Sequence, residues 1–452
     1  MSALARYFIA ANKNVAGYDK TKTEITDALD DLGADIHFSD NLAVIDKKYL
    51  NNEKSLVVYT PAIPNSHKEL NYFITNKFKV LKRSEVLGLI TENTICLAIA
   101  GTHGKTTTTS LLASIFAAAD RDPTFVIGGL LNSAGSNAKL GASRYLIAEA
   151  DESDASFLHL QPVVAIVTNI DADHMDTYEG DFSKLKKTFV SFLHNLPFYG
   201  LAVVCGDEPV IQEIIEEIAR PILTYGFNED CDFRAIDVQQ EEMRTRFKVL
   251  RPNKDKALEI FLNMPGAHNV LNATAAIAVA TDEGLSDEAI QSGLATFLGV
   301  GRRFQVYGNY PVGSGEAMLV DDYGHHPREV AVTIEAIRKS WPERRLVMIF
   351  QPHRYSRTRD LYEDFVDVLS RVDVLIVLEV YSAGEAPIAG ADSRHLCRSI
   401  RTRGQVDPVF VEGIDGVPEV IKDIVQADDI VITQGAGNVN ALAVELAKRK
   451  LQ

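Results

Sequence analysis

Short apolar segments alternate along this chain with longer amphipathic ones, and no other feature limits its possible folds as strongly. The amphipathic segments have the spacing of helices. The apolar segments are too short for helices and are typical of strands buried on both faces. Predicted strands are 95–100, 163–168, 345–350, 373–380 and 428–433, and predicted helices are 105–119, 181–195, 268–284, 327–340, 358–370 and 438–450. This order predicts an α/β fold with parallel sheets covered by helices.

Two stretches depart from this alternation. Residues 231–263 contain period-two segments, such as 244–249, which predict antiparallel strands on an edge or flap, as a small antiparallel sheet beside the parallel one. At the start, residues 2–11 predict a helix and 14–19 a strand, so the chain begins inside a first strand–helix–strand unit.

The length of the chain predicts about three domains, since 452 residues are three times the roughly 150 of an average domain. Glycine-containing or polar breaks near 84–93 and 298–304 are the candidate boundaries. We therefore expect domains at 1–86, 87–300 and 301–452.

Charge and hydropathy exclude several classes of protein. The net charge of −16 makes nonspecific nucleic-acid binding unfavourable, because such binding needs a basic surface. No apolar run reaches the ~18 residues of a membrane span, and the start lacks the pattern of a signal peptide. The four cysteines are widely spaced and are predicted to be reduced thiols. We expect a soluble, cytoplasmic protein without nucleic-acid or membrane partners.

The strongest local motif is the segment AGTHGKTT at 100–107, which joins a predicted strand to a predicted helix. Its glycines allow the backbone N–H groups to turn toward phosphate oxygens, and the helix N-terminus adds partial positive charge. Lys105 can neutralise β- and γ-phosphate oxygens, and the Thr106 hydroxyl can bind Mg²⁺. Ile99 replaces the first glycine of the general phosphate-loop pattern. The alternative is a glycine turn that only starts a helix.

Acidic clusters follow two further predicted strands, at 149–154 and 171–176. Ligands of open α/β sheets bind at the carboxyl ends of the strands, so the two clusters and the phosphate loop predict a site for nucleotide and metal. Carboxylates suit Mg²⁺, whereas a histidine such as His174 suits Mn²⁺ as well. A solvated acidic turn is the alternative for the first cluster.

Polar clusters also end strands in the last third of the chain. The segment DDYGHHP at 321–327 has adjacent histidines, of which at most one can face a substrate, and a helix cap with solvated histidines is the alternative. The segment QPHRYSRTR at 351–359 offers arginines for carboxylates or phosphates, or is a basic surface loop. Arg302 and Arg303 lie at the second candidate domain boundary and could reach a nucleotide from there. The segment GAG at 435–437 is a weak motif that is typical of a tight turn.

Together these segments resemble the Mur ligase family almost from end to end. AGTHGKTTTT, EADESDASF, VTNIDADHMDTY, FLHNLPFYGLAV, GAHNVLNATAAIAVA, GVGRRFQ, DDYGHHP, FQPHRYSRTRD and VYSAGE occur in the family's order. The resemblance implies a Rossmann-like N-terminal domain for a uridine nucleotide, a central phosphate-loop ATPase domain, and a Rossmann-like C-terminal domain for an amino acid. It implies a monomer or a homodimer.

The activity implied by this resemblance is a step of peptidoglycan precursor synthesis. L-alanine would be joined to the lactyl carboxylate of UDP-N-acetylmuramic acid, with ATP as the energy source and Mg²⁺ or Mn²⁺ as the metal. The carboxylate first attacks the γ-phosphoryl group, and the amine then attacks the resulting acyl phosphate. A ligase that adds a preformed tripeptide to the same precursor, and an inactive nucleotide-binding module, are the alternatives. QPHRYSRTRD favours the alanine-adding type.

The resemblance also assigns roles to individual residues. The implied catalytic residues are Lys105, Glu149, His174, His325 and Arg354, and the implied metal ligands are Thr106, Glu149 and His174. The implied ATP contacts are Gly101, Thr102, His103, Gly104, Lys105, Thr106, Thr107, Asn269, Asn272, Arg303 and Asp322. The implied contacts to the other substrates are Asp19, Thr60, Asn132, Asn137, Tyr323, His353, Arg354 and Arg357.

One family feature is missing at the start of this sequence. The family has a glycine-rich turn for the uridine diphosphate just before the position of Met1, which implies a late start or a shortened chain. Asp19 and the segment Thr60-Pro61-Ala62-Ile63 are the remaining candidates for uridine contacts. We expect this chain to bind the precursor more weakly than a chain that carries the turn.

Overall fold

A computed structural model describes residues 1–60, 63–64 and 66–451, apart from the side chain of Glu24. The chain divides into two compact units. Unit 1 contains 1–236, 249–258 and 271–296, and unit 2 contains 237–248, 259–270 and 297–452. The division into domains at 1–86, 87–300 and 301–452 stays a prediction.

Unit 1 begins with short elements in two parallel strand pairs, β1 with β2 and β3 with β4. The predicted first helix and strand are confirmed. The second helix starts where Thr23 and Thr26 form a reciprocal capping box. The elements are α1 (Ser2–Ala10), β1 (Ala16–Tyr18), α2 (Glu24–Asp31), β2 (Asp35–His37), β3 (Leu56–Tyr59), α3 (Lys68–Thr75), β4 (Lys79–Lys82) and α4 (Arg83–Thr91).

The next elements build a mixed ten-stranded sheet. They are β5 (Ile95–Ala100), α5 (Lys105–Ala118), β6 (Thr124–Leu131), β7 (Ser136–Lys139), β8 (Tyr145–Glu149), β9 (Val164–Val167), α6 (Phe182–His194), β10 (Leu201–Cys205), α7 (Pro209–Ile214), β11 (Ile222–Gly226), β12 (Phe233–Glu241), β13 (Arg244–Leu250), β14 (Leu258–Leu262), α8 (Ala267–Asp282) and α9 (Asp287–Ala295). The strand order is β14-β13-β12-β11-β10-β9-β5-β8-β6-β7.

The register around β5 positions the predicted site. Strand β5 lies between β8 and β9 and is parallel to both, with Ile99 opposite Glu149 and Ala100 opposite Val167. Because parallel strands end at the same edge, the loops that follow these three strands meet there. The period-two stretch lies at an edge of the large sheet, as predicted. Because β12 pairs in parallel with β11, however, β12–β14 extend this sheet and do not form a separate small one.

Unit 2 is built on a six-stranded sheet in the order β15-β16-β20-β17-β18-β19, in which only the β15–β16 pair is antiparallel. Apolar residues fill the sheet's two faces as two buried clusters. The elements are β15 (Gln305–Val312), β16 (Gly315–Asp322), α10 (Pro327–Ser340), β17 (Leu346–Phe350), α11 (Tyr355–Asp360), α12 (Tyr362–Leu369), β18 (Val374–Leu378), α13 (Ser393–Arg403), β19 (Val409–Val411), α14 (Val417–Ile421), β20 (Ile430–Gln434) and α15 (Val439–Lys448).

The helix predicted at 358–370 is two helices, α11 and α12. Leu361 separates them because its φ of −114° and ψ of 28° lie outside the helical region. The other predicted helices and strands of the alternation are confirmed within a few residues. Within the described residues, no helix has the length and apolar character needed to cross a bilayer.

Candidate active site

The loop after β5 is shaped by two glycines and supported by the residues after β9. Gly101 and Gly104 have φ values of 128° and 84°, which favour glycine. The backbone carbonyl of Asn169 accepts a hydrogen bond from the N–H of Thr102 at 3.1 Å. The side-chain Oδ1 of Asn169 accepts one from the N–H of His103 at 2.8 Å. The loop therefore has a fixed, curled backbone at the N-terminus of α5, as expected of a phosphate-binding loop.

Gly101→Ala is expected to disable this loop. An added Cβ would lie 2.0 Å from Thr168 Oγ1 and would also have to adopt the positive φ. We expect a loss of roughly 2–5 kcal/mol in the free energy of unfolding and loss of ATP binding. Scanning calorimetry with and without ATP measures both effects. Gly313→Ala is the control, because Gly313 has a φ of 56° but open space around its Cβ position; an equal effect of the two variants would contradict the argument.

Lys105 is the first residue of α5, and its ammonium group lies inside the loop. Its Nζ donates to the carbonyl of Gly101 at 2.5 Å and to that of Thr102 at 3.1 Å, and it lies 2.7 Å from Glu152 Oε2. Burial acts to lower the pKa of Lys105, but the carboxylates of Glu152 and Glu149 outweigh it and raise the pKa. Lys105 is therefore a fixed cation at neutral pH.

Glu152 is the buried partner of this cation, and only 3% of its surface is exposed. Burial raises the pKa of Glu152 to about 7, against the opposing effect of the Lys105 ammonium group. The Tyr178 hydroxyl donates to the Glu152 carbonyl and holds the backbone of this turn. Glu152 in the acidic segment after β8 is thus a buried counterion of Lys105. The alternative of a solvated acidic turn does not hold for this residue.

Thr106 and Glu149 meet beside the loop. The Thr106 hydroxyl lies 3.0 and 3.1 Å from the two carboxylate oxygens of Glu149, and the Gly128 N–H donates to Glu149 at 2.7 Å. A Cβ on Gly128 would lie 2.9 Å from the same carboxylate, so the absence of a side chain there lets the carboxylate approach the backbone. A hydroxyl and a carboxylate are oxygen ligands that suit Mg²⁺. These residues fit the predicted metal.

Two histidines lie near the ends of β5 and β9. His103 Nε2 is 3.2 Å from Asp171 Oδ2, which links the phosphate loop to the second acidic segment. His174 has a φ of 53°, and its Nε2 lies 3.6 Å from Asp173 Oδ2. The structure thus brings Thr106 and Glu149 together, and it places the third predicted metal ligand on the loop after β9.

The predicted asparagines of α8 have different surroundings. Asn272 accepts a hydrogen bond from Thr108 at 3.2 Å, and a Cβ on Gly104 would lie 2.6 Å from its Oδ1, so it packs directly on the phosphate loop. Asn269 is buried in unit 2, where its amide donates to the carbonyl of Pro265 at 2.7 Å. Thr107 is buried on α5.

The predicted precursor contacts of unit 1 lie on several different elements. Asp19 is exposed at the end of β1 and accepts the N–H of Thr21, and Thr60 follows β3. Asn132 lies in the turn between β6 and β7, and the Asn137 amide on β7 donates to the Ser2 hydroxyl at 3.0 Å. Of the segment predicted to contact uridine, Pro61 and Ala62 lie outside the described residues.

In unit 2, the end of β16 carries a buried carboxylate. Asp322 accepts hydrogen bonds from the N–H of Phe304 at 2.9 Å, the N–H of Gly324 at 2.8 Å and the Gln434 amide at 2.7 Å. Burial raises the pKa of Asp322, with Arg303 opposing that shift. Both carboxylate oxygens are therefore committed to protein donors, and Asp322 joins the ends of β16 and β20.

A row of rings follows β16, β17 and β18. The ring centroids are 5.4 Å apart for Tyr323 and His325, 5.5 Å for His325 and His353, and 5.6 Å for His353 and Tyr381. The guanidinium of Arg303 lies 4.8 Å from the Tyr323 ring. The structure therefore groups the predicted residues of the two C-terminal motifs at one edge of the sheet.

The two predicted arginines lie at the start of α11. Arg354 has a φ of 74° and its N–H donates to the carbonyl of Tyr381, while Arg357 is buried with Nη1 at 3.2 Å from His353 Nδ1. Glu385 accepts the N–H and the hydroxyl of Ser356 at 3.0 and 2.7 Å. The guanidinium groups of Arg354 and Arg357 can bind a substrate carboxylate. The Glu385 carboxylate lies beside the same helix turn.

Sequence reasoning missed three residues of these clusters: Glu152, Tyr381 and Glu385. Glu152 lay within the quoted acidic segment but had no signal that singled it out. Tyr381 and Glu385 belong to VYSAGE, which the resemblance included without a role. That polar segment follows a predicted buried strand, and the same strand-end rule could have identified it.

Comparison with known proteins places this chain in a family. Three family models match consecutive segments: Mur ligase family, catalytic domain at 1–94; Mur ligase middle domain at 99–280; and Mur ligase, glutamate ligase domain at 302–437. Together they match most of the chain, which therefore belongs to the Mur ligase family. It is an ATP-dependent ligase of peptidoglycan precursor synthesis, with the three-domain fold of that family.

Solved structures agree with this assignment. The UDP-N-acetylmuramate-alanine ligase from Thermotoga maritima is 25% identical with a TM-score of 0.84, covering 99% of this chain and 96% of that chain. A murein peptide ligase from Psychrobacter arcticus is 21% identical with a TM-score of 0.71, covering 100% and 96%. The MurF ligase from Thermotoga maritima in complex with ADP is 17% identical with a TM-score of 0.66, covering 89% and 97%. The last two share the fold.

Proposed function

We propose that this ligase joins L-alanine to the lactyl carboxylate of UDP-N-acetylmuramic acid and converts ATP to ADP and phosphate. The observation that carries the proposal is the likeness over 99% of this chain to a UDP-N-acetylmuramate-alanine ligase. The ring and arginine cluster of unit 2, whose residues come from DDYGHHP, QPHRYSRTR and VYSAGE, supports L-alanine as the acceptor. Residues 1–86 would bind the precursor, 87–300 ATP and 301–452 the amino acid.

The first chemical step would take place at the phosphate loop. A lactyl carboxylate oxygen attacks the γ-phosphorus of ATP, an acyl phosphate forms and ADP leaves. Lys105 offsets the charge of the phosphate oxygens, and the loop N–H groups hold them in line. One divalent cation, Mg²⁺ or Mn²⁺, held by Thr106 and Glu149, and a second one served by His174, would add charge neutralisation.

The second step would use the cluster of unit 2. Arg354 and Arg357 suit the carboxylate of the amino acid, because guanidinium groups bind carboxylates through two parallel hydrogen bonds. The stacked rings of His353 and Tyr381 lie beside these arginines, since Arg357 contacts His353 and the Arg354 N–H donates to the Tyr381 carbonyl. The amino group then attacks the acyl phosphate and releases phosphate.

Omission of each reactant in turn tests the proposal. Phosphate release should require ATP, UDP-N-acetylmuramic acid and L-alanine together, and mass spectrometry should find the precursor with one added alanine. A parallel reaction with L-alanyl-γ-D-glutamyl-meso-diaminopimelate in place of alanine tests the peptide-adding alternative. Turnover with that tripeptide and none with alanine would overturn the proposal, and ATP binding without any acceptor-dependent turnover would indicate an inactive module.

A further inference from the structure

We infer that Glu329 is a positioning residue, which holds His325 in the tautomer whose Nε2 accepts the proton of the attacking amino group. The inference rests on the proposed ligase function and adds to it the group that receives this proton.

The surroundings of His325 Nδ1 fix its tautomer. Nδ1 lies 3.2 Å from the carbonyl oxygen of Tyr323 and 3.3 Å from Glu329 Oε2. Both of these oxygens accept hydrogen bonds, so the hydrogen of the neutral ring belongs on Nδ1 and the lone pair on Nε2. A carboxylate on the far side of the ring also stabilises the imidazolium that forms when Nε2 takes a proton.

The neighbouring histidines have different roles. Arg357 Nη1 lies 3.2 Å from His353 Nδ1, and because a guanidinium only donates, Nδ1 of His353 carries the lone pair. His326 is the N-cap of α10, and its Nδ1 accepts the N–H of Arg328 at 3.3 Å. The Nδ1 of His325, by contrast, lies 3.3 Å from the Glu329 carboxylate.

The proton transfer balances without a further reactant. The amine nitrogen forms the C–N bond at the acyl carbon, and the bond from that carbon to the phosphate oxygen breaks. The phosphate leaves with the electron pair of that bond, and the proton lost by nitrogen passes to His325 Nε2. The titratable and charged groups near His325 include Glu329 on α10, His353 after β17 with Arg357 beyond it, and Tyr323 after β16. The guanidinium groups of Arg302 and Arg303 lie over the Tyr323 ring.

Glu329 also caps its helix, so the test must separate two roles. Its carboxylate accepts the backbone N–H groups of His325 at 2.9 Å and His326 at 3.1 Å. Glutamine at this position can keep those hydrogen bonds, because Glu and Gln both serve in capping boxes. Glu329→Gln therefore removes the charge beside the ring and preserves the cap. Glu335→Gln is the matched control, since Glu335 is exposed on the same helix.

The experiment compares the two half-reactions in each variant. Hydroxylamine traps the acyl phosphate formed from ATP and precursor without an amino acid, and phosphate release with L-alanine reports the complete reaction. For Glu329→Gln we expect normal trapping, at least about a tenfold fall in kcat with L-alanine, and an acid limb of the pH profile shifted to lower pH. The KM for ATP should not change.

A Glu329→Gln enzyme with the kcat and pH profile of the wild type would overturn the inference and leave only the capping role. An equal fall in trapping and in amide formation would also overturn it, because the defect would then precede the amine step. Failure of the proposed function looks different: the wild type itself would give no alanine-dependent product. If the tripeptide is then found to be the acceptor, the same two half-reactions are compared with the tripeptide in place of L-alanine.

Discussion

Lys105→Ala is expected to lower the rate of precursor-dependent phosphate release about 10²- to 10³-fold at saturating ATP. The ammonium group lies between the Gly101 and Thr102 carbonyls and Glu152, at the N-terminus of α5. In that place it can offset the charge that builds up on the transferring phosphoryl group. Single-turnover phosphate release and ATP titration measure the chemical step and the binding step separately.

The control for this variant uses the buried partner. Lys105→Ala leaves Glu152 buried without its cation. We expect the chain to lose stability at neutral pH, because a side chain whose pKa is already raised to about 7 must then either carry an unpaired buried charge or take up a proton. Glu152→Gln in the same chain removes that charge. The double variant should therefore regain thermal stability and stay inactive. Recovery of turnover in the double variant would show that Lys105 acts only by neutralising Glu152.

The phosphate loop could be predicted in detail because its chemistry is local. Glycines, a lysine and a threonine between a buried strand and a helix leave few alternative conformations. The nearness of the loop to the residues after β9 followed from a rule about parallel strands, and the contact of Asn169 with His103 agrees with it.

The partners of buried charges could not be predicted in the same way. Glu152 and Asp154 are both acidic and lie two positions apart, yet Glu152 is buried against Lys105 while the Asp154 carboxylate accepts the N–H of Ser156 in its own turn. Only the packing around β8 decides between them. Glu385 and Ser356 lie 29 residues apart, and no periodicity connects them.

The ends of the last sheet show the same limit. Sequence patterns predicted that DDYGHHP and QPHRYSRTR follow strands. QPHRYSRTR follows β17, and DDYGHHP begins with the last two residues of β16. The pattern could not reveal that the Asp322 oxygens accept hydrogen bonds from Phe304 and Gln434, or that His326 is the cap of α10 while His325 joins the row of rings. Those differences depend on the direction in which each side chain points at the end of a strand, and neighbouring residues there point in different directions.

Glu149→Gln is expected to raise the Mg²⁺ concentration needed for half-maximal activity by at least about tenfold. Glutamine keeps an oxygen that can accept the Gly128 N–H and the Thr106 hydroxyl, so the local fold should persist. It loses the negative charge that a divalent cation requires of its ligands. Titration of activity with Mg²⁺ and then with Mn²⁺ gives the half-saturating concentrations, and thermal unfolding reports the fold.

The control for this prediction lies at the opposite end of the strand that carries Glu149. Glu283 accepts the hydroxyl of Tyr145 at 2.7 Å, and Tyr145 is the first residue of β8 whereas Glu149 is the last. Glu283→Gln therefore removes the same charge at the opposite end of β8 and should leave the Mg²⁺ requirement unchanged. Equal shifts in both variants would mean that the overall charge of unit 1 sets the metal requirement. A shift confined to Glu149→Gln would support direct binding, because the two substitutions differ only in their distance from the phosphate loop.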